Sequence, residues 1–379
     1  MRPVFYCSGA QPMASIAGSH FEAAAPNLPV NVVETSGGAL PAPMSGRFNL
    51  EVWTGDPSDA PTHSAPGYQG LAILSDSGRQ IDLVNGTFDI IDNGSGHDTI
   101  NADGDHETIT GGSANVTLNV FGNDDVAIGG GRDTISIYGN SDTVNGDGND
   151  LINVYGQDDL IRGGSGKDTI NVFSAHDTVK AGTGNESISI FGSDDKVKAG
   201  SGNDTINLSG DHLTVTGGSG GETVSAFGSD NLIRAGSGKV SITASGDGDT
   251  VKGGTGHDTI DVSGNDNFVK TGAGDDSVNI VGLGNIVVAG SYIGGDNAAH
   301  ITVGGADFTL VDGPQTYLDT VVGFNQAAGD RIHLTTESSS QAIGDSKQVN
   351  HGHDTLITLE DGSTILLKGV SHIDHGFFS

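Results

Sequence analysis

One position recurs every nine residues through the middle of the chain. It reads Asp150, Asp159, Asp168, Asp177, Glu186, Asp195 and Asp204, then Leu213, Glu222, Asn231, Val240, Asp249, Asp258, Asn267, Asp276 and Asn285. Two nines make a unit of eighteen, visible in "GSGKDTINVFSAHDTVKAG" and again in "GTGNESISIFGSDDKVKAG". Upstream the pattern reaches Asp98, with the spacing one residue short near Gly122 and near Gly146. A fixed period of this length means stacked repeats, each burying its apolar side against its neighbours, and not one globular core.

Each half-unit runs glycine-rich turn, acidic residue, small polar residue, aliphatic, polar. The alternation in Thr169-Ile170-Asn171-Val172 predicts a short strand with one face buried. Glycine allows the turns positive φ and close backbone approach. Successive coils would lie about 4.8 Å apart, the ordinary strand spacing. Ile100, Ile135, Ile152, Ile170, Ile188, Ile206 and Ile260 would form a thin aliphatic seam. The expected fold is all-β, a parallel β-roll (β-solenoid) with an N-terminal β cap and a small C-terminal β domain.

"GGSGKDTIN" (163–171) and "GGTGHDTID" (253–261) resemble the glycine-aspartate nonapeptide of the RTX (repeats-in-toxin) family. The resemblance covers about half the chain and implies a calcium-binding β-roll. The spacing makes chemical sense of that implication. A hard cation takes six to eight oxygens; turn carbonyls supply several, and one carboxylate per coil completes the shell. Stacked carboxylates repel unless an ion lies between them. The composition agrees, with Asp and Glu outnumbering Lys and Arg 48 to 16 for a formal charge of −32. That balance also points away from nucleic-acid partners.

The two edges of the roll differ. One keeps the glycine motif, and the resemblance implies calcium ligands at Asp98, Asp133, Asp150, Asp168, Glu186, Asp204, Glu222, Asp258 and Asp276, with turn glycines Gly131, Gly148, Gly166, Gly184, Gly202, Gly256 and Gly274. Val116 and Val240 interrupt this file, and Glu186 and Glu222 are one methylene longer than the family's aspartate. On the other edge Phe121, Tyr138, Tyr155, Phe173, Phe191, Ser209 and Phe227 replace the glycine pair. Carboxylates persist there at Asp142, Asp159, Asp177, Asp195 and Asp249, interrupted by Leu213, Asn231, Asn267 and Asn285. At most weak ion binding is expected on that side, with the aromatics covering the end of the apolar seam.

The flanks divide the chain. Residues 1–45, rich in Pro, Ala, Ser and Gly, read as a flexible leader. They lack the uninterrupted apolar core of a secretory signal. Cys7 is the single cysteine, so no intrachain disulfide forms. Residues 46–91 read as a β-rich lead-in, with three short strands in 68–91 capping the first coil. The roll occupies 92–290. Within 291–379, "DTVVGFNQAAGDRIHL" and "HDTLITLEDGSTILLKGV" resemble the C-terminal secretion domain of RTX proteins exported by type I systems, with Gly323-Phe324-Asn325 where aspartate-phenylalanine is expected. No stretch approaches a membrane span.

Other motifs dissolve into the repeat. "GGSGG" (217–221) has the spacing of a nucleophile turn but sits in a repeat turn, and "GSGK" at 164–167 and 236–239 lacks the Ser/Thr and helix of a phosphate loop. "HETIT" (106–110) lacks a second histidine, and His351, His353, His372 and His375 follow no recognised ligand spacing. Two outward columns stand out. One carries Thr-x-Asn/Ser pairs such as Thr169/Asn171, a pattern that orders water in ice-binding solenoids; the other carries Arg162, Lys180, Lys198, Arg234, Lys252 and Lys270. The plain reading of the basic column is local neutralisation of the acidic edges; the alternative is a stripe for anionic polymers. The expected function is an extracellular, type I-secreted calcium-binding protein with a surface, matrix or adhesion role and no catalytic residues. The alternatives are a polysaccharide-binding accessory module, a polysaccharide-active enzyme using the N-terminal segment, or an ice-binding protein. The expected partners are calcium ions and an acidic extracellular polysaccharide or cell-surface component.

Overall fold

The computed structural model describes residues 30–35, 39–45, 48–53, 70–73, 80–83, 89–92, 97–111, 115–289, 299–306, 309–312, 319–334, 337–360 and 364–379. Cys7 and most of the leader lie outside them. The chain is an all-β parallel β-solenoid of about 12 turns, and it forms two compact units, 1–183 and 184–379.

In the first unit each repeat contributes one strand to each of two sheets, because the apolar alternation is broken twice per coil by a turn. Thr99–Ala102, Thr117–Val120, Thr134–Ile137, Leu151–Val154 and Thr169–Val172 pair in parallel as one sheet. Thr108–Thr110, Val126–Ile128, Thr143–Asn145, Leu160–Ser165 and Thr178–Thr183 form the other. The register steps by 17 where Thr117 meets Thr134 and where Thr134 meets Leu151, and by 18 where Leu151 meets Thr169, so the shortened spacing is absorbed by shorter coils. The parallel ladder also runs upstream through Val30–Thr35, Phe48–Trp53, Gly70–Ile73 and Asp89–Asp92. Gln80–Leu83 pairs in parallel with Thr99–Ala102 in the other sheet, so the three lead-in strands are present and stack in parallel like the repeats.

In the second unit Ser187–Ile190, Thr205–Ser209, Thr223–Phe227, Ser241–Ser245, Thr259–Ser263 and Asp276–Leu283 form one sheet. Lys196–Ser201, Thr214–Thr216, Leu232–Arg234, Thr250–Thr255, Phe268–Ala273 and Ile286–Ala289 form its partner. Parallel pairing continues past Gly290 through Ala299–Ala306 and Asp319–Val322 on one side, and through Thr309–Asp312 and Arg331–His333 on the other. There the pattern changes. Thr364–Lys368 pairs in parallel with Asp319–Val322 but antiparallel with Asp354–Thr358, the hairpin that Glu360 and the residues after it announce. The last residues finish the end: Phe377 stacks on Phe324 at 5.7 Å, and the Ser379 amide donates to Ile332 O at 3.0 Å. Among the described residues no helix is long and apolar enough to cross a membrane.

The seven seam isoleucines are fully buried, joined by Val154, Val172, Ile161, Val179 and their counterparts from the facing sheet. The aromatics behave differently from expectation. Phe121, Tyr138, Tyr155 and Phe173 stack ring on ring at 4.8–5.0 Å, yet each stays about half exposed, from 45% to 47%. They do not close the seam, because the polar inward residue beside each turn already does.

The glycine turns are packed coil against coil. Gly166 has φ +126°, and a Cβ there would sit 1.6 Å from Gly148 O. Both the left-handed backbone and the contact forbid a side chain. Gly166→Ala is expected to lower the melting temperature of the calcium-loaded protein by roughly 5 °C or more, since about 2 kcal/mol or more is lost. Gly344→Ala, with nothing within 4 Å of the added carbon, is expected to leave it unchanged. Equal melting of the two variants would show that coil contact is not what these turns need.

Candidate metal centre

The position that recurs in the sequence points into the roll on both edges. On the glycine edge Asp98, Asp133, Asp150, Asp168, Glu186, Asp204, Glu222, Asp258 and Asp276 are all buried, at 3% exposure or less. Six of them, Asp133, Asp150, Asp168, Asp204, Asp258 and Asp276, are held in one way: Oδ1 accepts from the main-chain amide of the same position one coil earlier. Glu222 instead accepts from Gly218 N at 2.9 Å in its own turn. Val116 N donates to Asp133 at 2.8 Å, Asp133 N to Asp150 at 2.8 Å, Asp150 N to Asp168 at 2.9 Å and Asp258 N to Asp276 at 2.9 Å. Val116 and Val240 therefore break the file of carboxylates but keep the ladder, since Val240 N also donates to Asp258 at 2.9 Å.

The second carboxylate oxygen is where the chemistry lies. Oδ2 of Asp150, Asp168, Asp204 and Asp258 is buried with no hydrogen-bond partner. A Cβ imagined on Gly163 would lie 2.7 Å from Asp168 Oδ2 and 2.2 Å from Ala181 O. At Gly146 the same point lies 2.5 Å from Asp150 Oδ2 and 2.8 Å from Gly163 O, and at Gly253 2.9 Å from Asp258 Oδ2 and 2.0 Å from Thr271 O. An unpartnered carboxylate oxygen and a carbonyl of the next coil thus converge on one small space that only the missing side chain leaves open. Two acceptors facing each other without a donor call for a cation or a proton. An all-oxygen donor set of one carboxylate and several carbonyls suits a hard divalent ion. Among the described residues no three His, Cys, Asp or Glu side chains gather as a metal cluster, so main-chain oxygens must supply most of any shell; the four C-terminal histidines form no such group.

The expected glycines divide. Gly166, Gly202 and Gly274 are left-handed, each with a left-handed partner two residues before, Gly164, Gly200 and Gly272. Gly131, Gly148, Gly184 and Gly256 are not left-handed; Gly148 and Gly256 need the missing side chain because Gly131 O and Gly238 O would lie 1.5 and 2.3 Å from it. Asp133 differs again. Its Oδ2 accepts from Gly130 N at 2.8 Å and Gly131 N at 3.2 Å, so its turn is satisfied by amides. The full double-glycine geometry is confined to the turns before Asp168, Asp204 and Asp276.

The other edge is built on a different turn. Its left-handed residue sits directly before the inward position, at His106, Asp124, Ser141, Asp158, His176, Asp194, His212, Asp230 and Asp266. Glu107 and Asp125 belong to this inward file too, nine residues after Asp98 and Val116. A count carried back in nines from Asp150 misses them because the steps from Asp125 to Asp133 and from Asp142 to Asp150 are one residue short. Their signal is the "HE" and "DD" pairs, which repeat the "DD" of Asp158-Asp159. Here the interruptions are informative. Asn267 Nδ2 donates to Gly246 O at 3.1 Å and Asn285 Nδ2 to Gly264 O at 3.0 Å. The amide hydrogen occupies the place that the unpartnered Oδ2 holds at the same position of other coils, at Asp125, Asp142, Asp159 and Asp249.

Burial raises several of these acids on both edges. Asp150 and Asp168 are pushed up to about 6 and Asp276 to about 7 by desolvation, partly offset by the amide each accepts from. On the second edge Asp125 and Asp249 rise to about 6, Glu107 and Asp142 to about 7 and Asp159 to about 8, again chiefly by burial.

The RTX calcium-binding nonapeptide repeat (4 copies) is the family model that matches, at residues 85–118, 144–172, 173–206, 189–221 and 243–278. No curated protein and no solved structure matches the chain. Calcium is the ion these repeats bind, in agreement with the oxygen-lined spaces on the glycine edge. The repeat region of this chain belongs to the family of RTX calcium-binding nonapeptide repeats.

Proposed function

We propose that this is an exported protein whose repeats order on calcium outside the cell, where it serves as a surface or matrix component. The observation that carries this reading is the file of buried carboxylates whose Oδ2 has no partner, at Asp150, Asp168, Asp204 and Asp258, with left-handed glycine pairs in the turns before Asp168 and Asp204. Asp276 has the same glycine pair and a hydrogen bond from Thr271. Asp150, Asp168, Asp204, Asp258 and Asp276 would hold the ions together with the turn carbonyls. Bound calcium would supply positive charge to the oxygens that face each other. Glu186, Glu222 and Asp98 extend the file with less regular turns, and the second edge is expected to hold hydrogen in place of metal.

Export through a type I route fits the same chemistry. Such routes pass unfolded chains, and extracellular calcium modules bind only at roughly 10⁻⁴–10⁻³ M, so the chain stays unordered at cytosolic calcium levels. The terminal Phe377, Phe378 and Ser379 pack against Phe324 and Ile332 in the folded end. An exporter reading that tail would meet it only before folding. Deleting residues 319–379 is expected to abolish appearance of the protein in the medium while leaving it in the cells. Undiminished secretion of the truncated chain would refute this route.

A further inference from the structure

In a chain of charge −32, one sheet face of the second unit is purely cationic. Lys198, Thr216, Arg234, Lys252 and Lys270 stand in register on successive strands. Lys196 lies two residues from Lys198, on the same face. None of the strands Lys196–Ser201, Thr214–Thr216, Leu232–Arg234, Thr250–Thr255, Phe268–Ala273 and Ile286–Ala289 contains Asp or Glu. The opposite sheet contains no Lys or Arg, and its outward positions are mostly Thr, Ser and Asn, with the apolar Phe227, Val281 and Leu283 and the single acid Asp261.

Direct ion pairing with the acidic edges does not account for this column. Among the described residues the ion contacts join histidines to aspartates, as at His212 with Asp194 and Asp230, and no Lys or Arg pairs with a carboxylate. Like charges directly opposite on neighbouring strands destabilise a sheet. Arg234, Lys252 and Lys270 stand on adjoining strands, about 4.8 Å apart, with Lys198 beyond the gap at Thr216, and their repulsion is a cost that a bound polyanion would remove.

We infer that this face is a docking track for one extended anionic polysaccharide chain lying across the strands along the Lys198–Lys270 column. The choice of polysaccharide rests on the extracellular reading above; the anionic, linear character rests on the face itself. The track is one charge wide. Beside it run Thr214, Thr250 and Phe268, which offer hydroxyls and a ring to sugars. Along the adjoining edge the exposed Asp194, Asp211, Asp230, Asp247 and Asp266 form an acidic wall. A DNA duplex, with about one charge per 1.7 Å of axis and a broad body, would be driven against that wall. A single sugar chain with sparse charge would not.

The test uses the full, calcium-loaded chain and immobilised dextran sulfate, a polyanion free of the carboxylates that gel with calcium. In the quadruple variant Lys198→Thr, Arg234→Thr, Lys252→Thr and Lys270→Thr, each residue takes the identity that Thr216 already has in this column. Affinity is expected to fall about tenfold or more, the sum of four modest surface charge contacts, and its dependence on salt is expected to flatten. A control removing four cations elsewhere, Arg132, Lys167, Lys239 and Lys347 to Thr, is expected to bind as the parent does. Equal loss in both variants, unchanged binding in the first, or tighter binding of duplex DNA or anionic vesicles than of dextran sulfate would overturn the proposal. Circular dichroism and the calcium midpoint of each variant separate these outcomes from failure of the calcium reading, which would alter folding in the parent too.

Discussion

In excess chelator at about pH 8 the chain is expected to lose most of its β-sheet signal, and to regain it on titration with calcium over roughly 10⁻⁴–10⁻³ M. The reason is the balance inside the roll. Each coil buries only a few aliphatic side chains, such as Ile170, Val172 and Val179, and the chain contains 62 glycines, whose ordering is costly. Against that thin seam stand the inward acids. Two neighbouring carboxylates about 5 Å apart repel by roughly 3 kcal/mol at an effective dielectric near 20, and several such pairs exceed the 5–15 kcal/mol, in round figures (~), of a typical domain. Calcium removes the repulsion and satisfies the open oxygens together. An unchanged spectrum and melting curve in chelator would sink the idea.

Acid is expected to replace calcium in part. The second-edge groups Glu107 and Asp142, raised to about 7, and Asp159, raised to about 8, owe their shifts first to burial. In the unfolded chain such groups titrate at about 4. Between those values the folded state binds more protons than the unfolded one, so stability falls as pH rises. The contribution is fully present below about 4 and is lost as pH passes through the folded values of about 6 to 8. Metal-free protein should therefore be more β-rich at about pH 5 than at about pH 8. Asp142→Asn and Asp159→Asn install the donor that Asn267 and Asn285 already present to turn carbonyls. Together they are expected to stabilise the metal-free chain at the higher pH, by about 1.4 kcal/mol for each unit of raised pKa removed, and to flatten the pH dependence. Stability in chelator that rises with pH, or lower stability in the double variant, would contradict this account.

The seam and the glycine-edge file were legible because period and burial are the same fact in a solenoid: a residue that recurs every nine positions returns to the same side of the coil. Ile152, Ile170 and Asp168 needed nothing more. The flanks were less legible. Gly70–Ile73 and Asp89–Asp92 stack in parallel with the repeats, but alternation alone cannot tell a parallel coil from a hairpin, and the irregular spacing between them hides the period. The ladder past Gly290 was hidden in the same way. Phe121 and Tyr138 depart from a simple cover over the seam because Asp125 and Asp142 take the inward place, which leaves the stacked rings about half exposed. The difference among the glycines was invisible in sequence, since Gly166 needs its φ and Gly148 needs only clearance.

The central claim, that the glycine edge is the calcium edge, is tested most directly by anomalous scattering from crystals grown in calcium. The account predicts peaks beside Asp168, Asp204 and Asp276, bridging turn carbonyls of adjoining coils, and none beside Asp142, Asp159, Asn267 or Asn285. Peaks of equal strength along both edges, or none beside Asp168, Asp204 and Asp276, would contradict it.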